Sequence, residues 1–423
     1  MKSITLNHIT KIEGHAKLSL GIERNKVTKC ELSAVEGSRY FEGLVRGRRF
    51  NEAHEITSRI CGICSSAHVI AAISAVEDAL EYKPTKQTID LRLLMTLGER
   101  IRSHATHLYF LALPDYLGYE SALAMANKYK PQLQNALNLM KAGNTIIKTI
   151  GARDLHPVSA TVGGWLKLPK KDELKILKNQ LVSAKKDAIK TCKLFFSLKY
   201  PDFESKTEYF SLVDKNEYAV LSGKFSSQYT SFEKWQYKEF VNEYHEPRST
   251  ANFVVKGDHR YVVGALARIN NNHSKLSDDA KKMLKLSKLK LPSTNPFQNN
   301  LAQAIELVHC IDESIRVIDS LDIKNEPVDE IQLKEGNGIG CIEVPRGTLW
   351  HEYTLDSKGV ITNANIITPT AQNLFSMQED IRNFVPTFIK KSKSEITLSV
   401  EKLIRSYDPC FSCSAHFLEV KWL

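Results

Sequence analysis

Arg59-Ile60-Cys61-Gly62-Ile63-Cys64-Ser65-Ser66-Ala67-His68 opens a run rich in Ala, Ile and Val that continues to Tyr82. Near the other end of the chain, Asp408-Pro409-Cys410-Phe411-Ser412-Cys413-Ser414-Ala415-His416 echoes it. Each Cys-x-x-Cys brings two sulfurs within reach of one metal, above all where a cysteine opens a helix and backbone N–H groups favour the thiolate. Four converging thiolates suit a soft or borderline metal: zinc, iron, nickel or an iron–sulfur cluster. On spacing alone a closed zinc site is an equal reading, because structural zinc is commonly held by four cysteines. Zinc ribbons, however, set their pairs roughly 15–20 residues apart, and here most of the chain lies between the pairs. A chain of 423 residues has ample length to fold without a metal staple. A site that ties its two ends together is better explained by chemistry.

Outward from the first pair the texture is helical. Ser65 to Tyr82 ends at Lys83-Pro84, and 89–113 carries apolar residues at helical spacing (Leu91, Leu94, Leu97, Ile101) with Pro114 as its stop. Further helices are expected over 122–150, 171–198, 277–289, 299–321, 371–390 and 396–406. Strands are expected at 15–22 and 27–35 around the polar turn 23–26, and over 338–367 with a hairpin turn at Asp356-Ser357-Lys358-Gly359. Residues 203–260 are polar, aromatic and irregular, the texture of a surface excursion or interface. The expected class is α+β: mainly α with β-rich N- and C-terminal segments around a long-helix core. The expected organisation is one domain over 1–423, with a β-rich segment 1–50, a helical core 52–323 containing the 203–260 excursion, and a β hairpin with C-terminal helices and the metal cysteines in 338–423.

Composition narrows the class. A hydrophobic fraction of 42% with 25% charged residues is that of an ordinary globular protein, and no run approaches the roughly 18 apolar residues of a membrane span. The net charge of +10 comes from lysines scattered over helical segments, and no nucleic-acid motif accompanies it, so nucleic acid is not an expected partner. The first residues have no apolar core of the kind that marks a signal peptide. Eight cysteines are too few for a disulfide scaffold; Cys30, Cys192, Cys310 and Cys341 stand alone and read as small buried hydrophobes.

Together with Arg59 to His68 and Asp408 to His416, three further stretches agree in order and spacing with one family: Ile9-Thr10-Lys11-Ile12-Glu13-Gly14-His15, Phe41-Glu42-Gly43-Leu44-Val45-Arg46-Gly47-Arg48, and Val344-Pro345-Arg346-Gly347. The chain resembles the large, catalytic subunit of nickel–iron hydrogenases over nearly its whole length. A related subunit of respiratory complex I shares the fold but is expected to lack the cysteine pairs.

The resemblance implies a fold, a reaction and roles. All four thiolates bind nickel, Cys61 and Cys410 as terminal ligands and Cys64 and Cys413 as bridges to an iron that carries carbon monoxide and cyanide. Thiolates give an electron-rich nickel, and a terminal thiolate can take the first proton when H2 is split heterolytically. Glu13 resembles the carboxylate that passes the proton on; taken alone, a Glu after an Ile is an ordinary strand residue. Arg346, after Pro345, resembles the guanidinium over the open metal position; taken alone, it is a surface Arg in a β-turn. Asp408 is expected to pair with Arg346. His68 resembles a histidine that hydrogen-bonds a bridging sulfur. Glu42 and His416 resemble magnesium ligands; the carboxylate suits a hard cation better than the imidazole does. His104 and His107 share a face at i, i+3 and are either site-lining or satisfied core residues. Ser103 stands where many members carry Asp, which leaves one charge fewer above the metal.

Partners follow from the same resemblance. No further cysteine cluster fits an iron–sulfur relay, so the clusters are expected in a small subunit, with further electron-transfer subunits beyond it. A maturation chaperone and a C-terminal endopeptidase are also expected, the latter bearing on whether Phe417 to Leu423 is removed. The compact length and the short tail resemble the cytoplasmic multi-subunit branch, whose members couple H2 to NAD(P), a deazaflavin coenzyme or a heterodisulfide-reductase system. An H2-sensing regulatory hydrogenase and a non-catalytic four-cysteine zinc scaffold are the alternatives to a working hydrogenase subunit.

Overall fold

Alternate glycines decide how the first cysteine pair is seated. The computed structural model describes residues 2–415 apart from 8, 25, 38 and 39. Helix α1 (Ser65–Ala79) is buried on nearly every side, as an all-round apolar helix must be. Strand β4 (Gly336–Val344) lies directly on it, with Gly336, Gly338 and Gly340 facing Ala79, Ala75 and Ala71. A Cβ on Gly338 would stand 2.1 Å from the Ala79 nitrogen, and one on Gly340 2.1 Å from the Ala71 oxygen. Only glycine lets the backbones approach so closely. Six residues beyond Gly340 comes Arg346; seven before Ala71 comes Cys64. One helix–strand contact thus places both.

β4 begins an antiparallel meander with β5 (Gly347–Leu355) and β6 (Ile361–Ile367). Val344 pairs with Gly347, so Pro345-Arg346 is a two-residue hairpin loop, and Gly347 takes a φ of +137° that L side chains rarely adopt. The expected turn at 356–359 joins β5 to β6. At the N-terminus β1 (Lys2–Leu6), β2 (Ala16–Glu23) and β3 (Lys26–Ala34) form a second meander; β1 was not among the expected strands.

The helical layer contains α2 (Lys86–Thr106), α3 (Lys130–Gly151), α4 (Lys171–Phe196), α5 (Ala265–Asn272) and α6 (Asn299–Ser320). α2 packs on α3 where Gly98 meets Gly143; a Cβ on Gly143 would lie 2.5 Å from the Gly98 oxygen. Then follow α7 (Pro369–Phe384), α8 (Lys393–Ser406) and the four-residue α9 (Phe411–Ser414). Caps are locally encoded: Thr85 accepts from the Thr88 N–H, and Ser392 with Glu395 forms a capping box.

Three expectations change. Pro114 does not stop the helix after Leu113: the register widens into a π segment, His107–Ala112, and Pro114 sits in the first turn of a short helix, Leu113–Leu117, ended by Gly118 in left-handed backbone. Proline cannot donate to the carbonyl one turn back, so the helix re-registers before it. The 122–150 pattern is two helices, because Pro131 starts α3 rather than continuing the turn of Ala122–Met125. The aromatic stretch 203–260 folds mostly inward: Phe210, Phe225, Phe232 and Tyr237, with Tyr261 just beyond it, pack with Trp350 of β5 in a second buried cluster, leaving Tyr229 and Trp235 exposed.

Candidate metal centre

The first cysteine pair is held by core helices. Cys61 leaves a 3-10 turn, Ser58–Ile60, in extended backbone, and Cys64 occupies the N-cap of α1. The free N–H groups of that helix end are taken by Glu99 of α2, whose oxygens accept from Ser66 at 2.7 Å and Ala67 at 3.2 Å. Arg102, one turn on, donates from Nη2 to the Ile63 carbonyl at 2.6 Å, and the Ser65 hydroxyl donates to the Gly62 carbonyl. Burial pushes Glu99 up to about 7. From outside, the 151–158 loop closes over the cysteines: the His156 N–H donates to Ser65 Oγ, and its ring Nδ1 to the Ser58 carbonyl at 2.9 Å.

The second pair is held through its main chain by groups distant in sequence. Cys410 forms a parallel bridge with Glu13, the Phe411 N–H donates to the Glu13 carbonyl at 2.9 Å, and the Cys410 N–H donates to Thr370 Oγ1 at 2.8 Å. Thr368 and Ser414 hydroxyls meet at 2.6 Å. Gly14 lets the loop lie flat on α9; a Cβ there would stand 2.6 Å from the Ser412 nitrogen.

These anchors bring four buried sulfurs within 4.8 Å of one another. Cys61 and Cys410 lie 3.7 Å apart, Cys410 and Cys413 2.9 Å. Sulfurs this close, with no disulfide, fit a thiolate-bound metal. Hydrogen bonds from Cys410, Cys413 and Cys64 drive Cys61 well below the usual thiol range, while burial pushes Cys410 and Cys413 well above it. Among the described residues this is the one group of His, Cys, Asp and Glu able to hold an ion.

Two predicted residues flank the sulfurs. Glu13 is half-buried, its Oε2 2.7 Å from Cys410 Sγ; burial and then the Cys61 charge raise it above the usual carboxylate range. Arg346 is 5% exposed, so the residue stands in a β-turn, as its sequence allows, yet not at the surface. Its Nη1 is 3.2 Å from Cys64 Sγ, and its Nε donates to Asp408 at 2.8 Å (carbonyl) and 3.1 Å (Oδ1). The expected Arg346–Asp408 pair is present, with Asp408 in left-handed backbone at φ 50°. Arg346 also lines a small cavity of about 10 Å³, together with Cys64, His68, Leu349, Thr370, Cys410 and Cys413.

The remaining predicted residues divide. His68 lines that cavity and meets His351 Nε2 through Nδ1 at 3.0 Å; His351 Nδ1 meets the Tyr353 hydroxyl at 2.7 Å. The carbonyl of Pro345 accepts from Arg268. Glu42 lies apart, on the helix Phe41–Val45, where Oε1 accepts from the Ile366 N–H at 2.9 Å. His416 lies outside the described residues. His104 is a core histidine: Nε2 meets Glu306 at 2.7 Å, and burial pushes it down to about 4. His107 bonds Gln303 and the Arg405 carbonyl. Ser103 is buried, its hydroxyl without a hydrogen-bond partner among the described residues. Sequence reading missed Glu99, Arg102, His351 and Thr370, which carry no local signature and act through long-range contacts; His156, in a His-Pro step, offered a faint one.

Comparison with known proteins bears on this geometry. The nickel-dependent hydrogenase family profile matches residues 39–145 and 202–416. The alpha subunit of sulfhydrogenase 1 from Pyrococcus furiosus is 35% identical over 422 residues, covering 99% of this chain and 98% of that one. An F420-non-reducing hydrogenase subunit from Methanothermobacter thermautotrophicus is 30% identical, covering 99% and 96%. Among solved structures, an NAD+-reducing [NiFe]-hydrogenase in the H2-reduced state superposes with a TM-score of 0.88 at 23% identity, covering 98% of this chain and 100% of that one, which establishes the fold. With four cysteines gathered from both ends of the chain at one centre, this protein belongs to the nickel-dependent hydrogenases as a large, catalytic subunit.

Proposed function

We propose that this subunit oxidises H2 reversibly, by heterolytic cleavage, at a nickel–iron centre held by Cys61, Cys64, Cys410 and Cys413, with the proton leaving through Glu13. The observation that carries the proposal is the four-sulfur cluster with a carboxylate on one side and a buried guanidinium on the other. When bound, such a centre supplies the Lewis acidity and redox capacity that polarise H2. Cys410 Sγ, 2.7 Å from Glu13, is the atom from which the carboxylate collects the proton. The raised affinity of Glu13 for protons suits an acceptor that must later release them. Arg346 sets a fixed positive charge beside Cys64, stabilising an anionic cluster in a water-poor site.

Cys64 and Cys413, which line the cavity, would hold the iron of such a centre together with the nickel. Val344, Leu349 and Ala67 offer apolar walls for carbon monoxide, and Arg346 and Thr370 offer donors for cyanide. Cys61 and Cys410 are the proposed terminal nickel ligands, and Cys410 faces Glu13. A magnesium ion held by Glu42 and His416 completes the proposed metal set.

Electrons leave through another chain. Cys30, Cys192, Cys310 and Cys341 are buried and belong to no metal-holding cluster among the described residues, so the iron–sulfur relay is assigned to a small subunit. Its proposed docking face is the outer side of the first cysteine loop, where Arg59, Gly62 and Asp154 are exposed beside the apolar Leu155 and Leu166. Further electron-transfer subunits, a maturation chaperone and a C-terminal endopeptidase belong to the same reading, as does a cytoplasmic location; no helix among the described residues is long and apolar enough to cross a membrane. The chain is proposed to fold as one domain, supported by a buried cluster running from Ile4 to Cys413.

The test is metal analysis with infrared spectroscopy on complex purified anaerobically from its host. Nickel and iron near one each in this subunit, the small subunit's cluster iron counted apart, with bands of iron-bound carbon monoxide and cyanide, are expected; zinc alone without those bands overturns the reading. H2 uptake that is absent from a fully loaded centre would identify a sensor instead of a turning-over enzyme.

A further inference from the structure

We propose that Gln303 and His107, neither of which lines the metal cavity, are positioning residues that hold the Asp408 carboxylate and, through it, the Arg346 guanidinium against Cys64. The inference rests on the reading of Arg346 as part of the catalytic site. Arg346 has one anchor of charge: Nε and Nη2 both reach Asp408 Oδ1 at 3.1 Å, and this leaves Nη1 at the sulfur. A carboxylate held through one oxygen is free to swing, because the terminal torsion of Asp is broad. Here the second oxygen is also taken: Gln303 of α6 donates from Nε2 to Asp408 Oδ2 at 2.9 Å.

Gln303 is in turn fixed in its rotation. With its amide nitrogen on the carboxylate, Oε1 faces His107 Nδ1 at 2.6 Å; the flipped amide would set oxygen against oxygen at Asp408. His107 Nε2 meets the Arg405 carbonyl at 2.7 Å, so both ring nitrogens are engaged by oxygen atoms and the ring is held at both ends. Arg405 is itself pinned, donating to Asp115 at 2.6 Å and to the Thr10 carbonyl at 2.8 Å. Every side chain along this line is buried, and the π segment begins at His107, where α2 must serve α6 and α8 together. Such segments concentrate at functional sites. A leucine at 303 would fill the same space and donate nothing, so packing alone does not require the amide.

The experiment uses the assembled enzyme and four variants: Gln303→Leu, Gln303→Glu, Arg346→Lys and the double variant Q303L/R346K. In Q303L, kcat is expected to fall about tenfold, the size of effect that follows from loosened placement of a catalytic group. KM for H2, nickel and iron should be unchanged, and the infrared band of iron-bound carbon monoxide displaced. Q303E, which sets a second carboxylate against Asp408, should fall further. Because both single changes act through one guanidinium, the double variant should be no slower than R346K. Wild-type rate and bands in Q303L overturn the proposal, as do losses that multiply in the double variant, or missing nickel in Q303L and Q303E alike. If R346K turns over as the wild type does, the reading of Arg346 fails; a slow Q303L beside it would show an effect that bypasses Arg346, which overturns the positioning role too.

Discussion

The two cysteine pairs look alike in sequence and are built differently in space. Cys61 and Cys64 open a fifteen-residue core helix and are braced by side chains, Glu99 and Arg102 of α2 and the hydroxyl of Ser65. Cys410 caps, and Cys413 lies within, a four-residue helix whose main chain is held by a strand-like bridge to Glu13 and by the Thr370 hydroxyl. The first pair belongs to the folded core; the second is docked onto it by an N-terminal loop that lies 397 residues away in sequence. The same ligands can thus be preorganised in two ways, by buried charge at a helix end or by strand-like pairing, and the proton-carrying carboxylate arrives with the second.

The largest test treats the pairs as one centre. Cys64→Ser and Cys413→Ser should each abolish H2 oxidation and leave the purified complex short of nickel by mass spectrometry; full activity in either would separate the pairs. Next, Glu13→Gln keeps shape and main-chain bridging but cannot take the proton. Its kcat should fall about 10²–10⁴-fold, the usual worth of a positioned acid–base group, with nickel content unchanged and exchange of H2 with solvent protons lost. A normal exchange rate would divorce the second pair from proton transfer.

Glu99 offers a pH test of the first pair. Its folded pKa, about 7, is raised from the reference 4.5, so the folded state binds the extra proton between those values. Stability therefore falls as pH rises from about 4.5 to about 7, by roughly 3 kcal/mol for this group, and is flat in its contribution above. Glu99→Gln keeps an acceptor for the Ser66 and Ala67 N–H groups and should flatten that slope in denaturant titrations; an unchanged slope would place the pH dependence elsewhere. The smallest effect belongs to the second pair: Thr370→Val leaves the Cys410 N–H without its partner and should lower stability by about 2 kcal/mol, read as a lowered unfolding midpoint. A neutral result would mean that Glu13 alone fixes this end.

Much of the centre was legible because the ligand types and their spacing are local. Cys-x-x-Cys opening an apolar helical run forecast α1, and the meander over 338–367 forecast the strands that carry Arg346. The turn at Pro345-Arg346 was legible as a turn and illegible as an interior one, since nothing in four residues states what will cover them. The stop at Pro114 was misplaced for a related reason: whether a proline ends a helix or re-registers it depends on what the next turn packs against. The inward folding of the 203–260 aromatics likewise awaited Trp350, ninety residues beyond the stretch.

By itself the sequence determined the four sulfurs, the family and the long-helix core with β-rich ends; that Arg346 pairs with Asp408 was implied by the resemblance and is met in the structure. Only the tertiary structure decided that Glu13 bridges Cys410, that Glu99 caps the first cysteine helix, and that Gln303 and His107 stand behind Asp408. Ligand identity is a property of side chains and survives in the order of residues. Orientation is set by buried hydrogen bonds between groups far apart in the chain, and those exist only once the backbone has brought their donors and acceptors together, out of water.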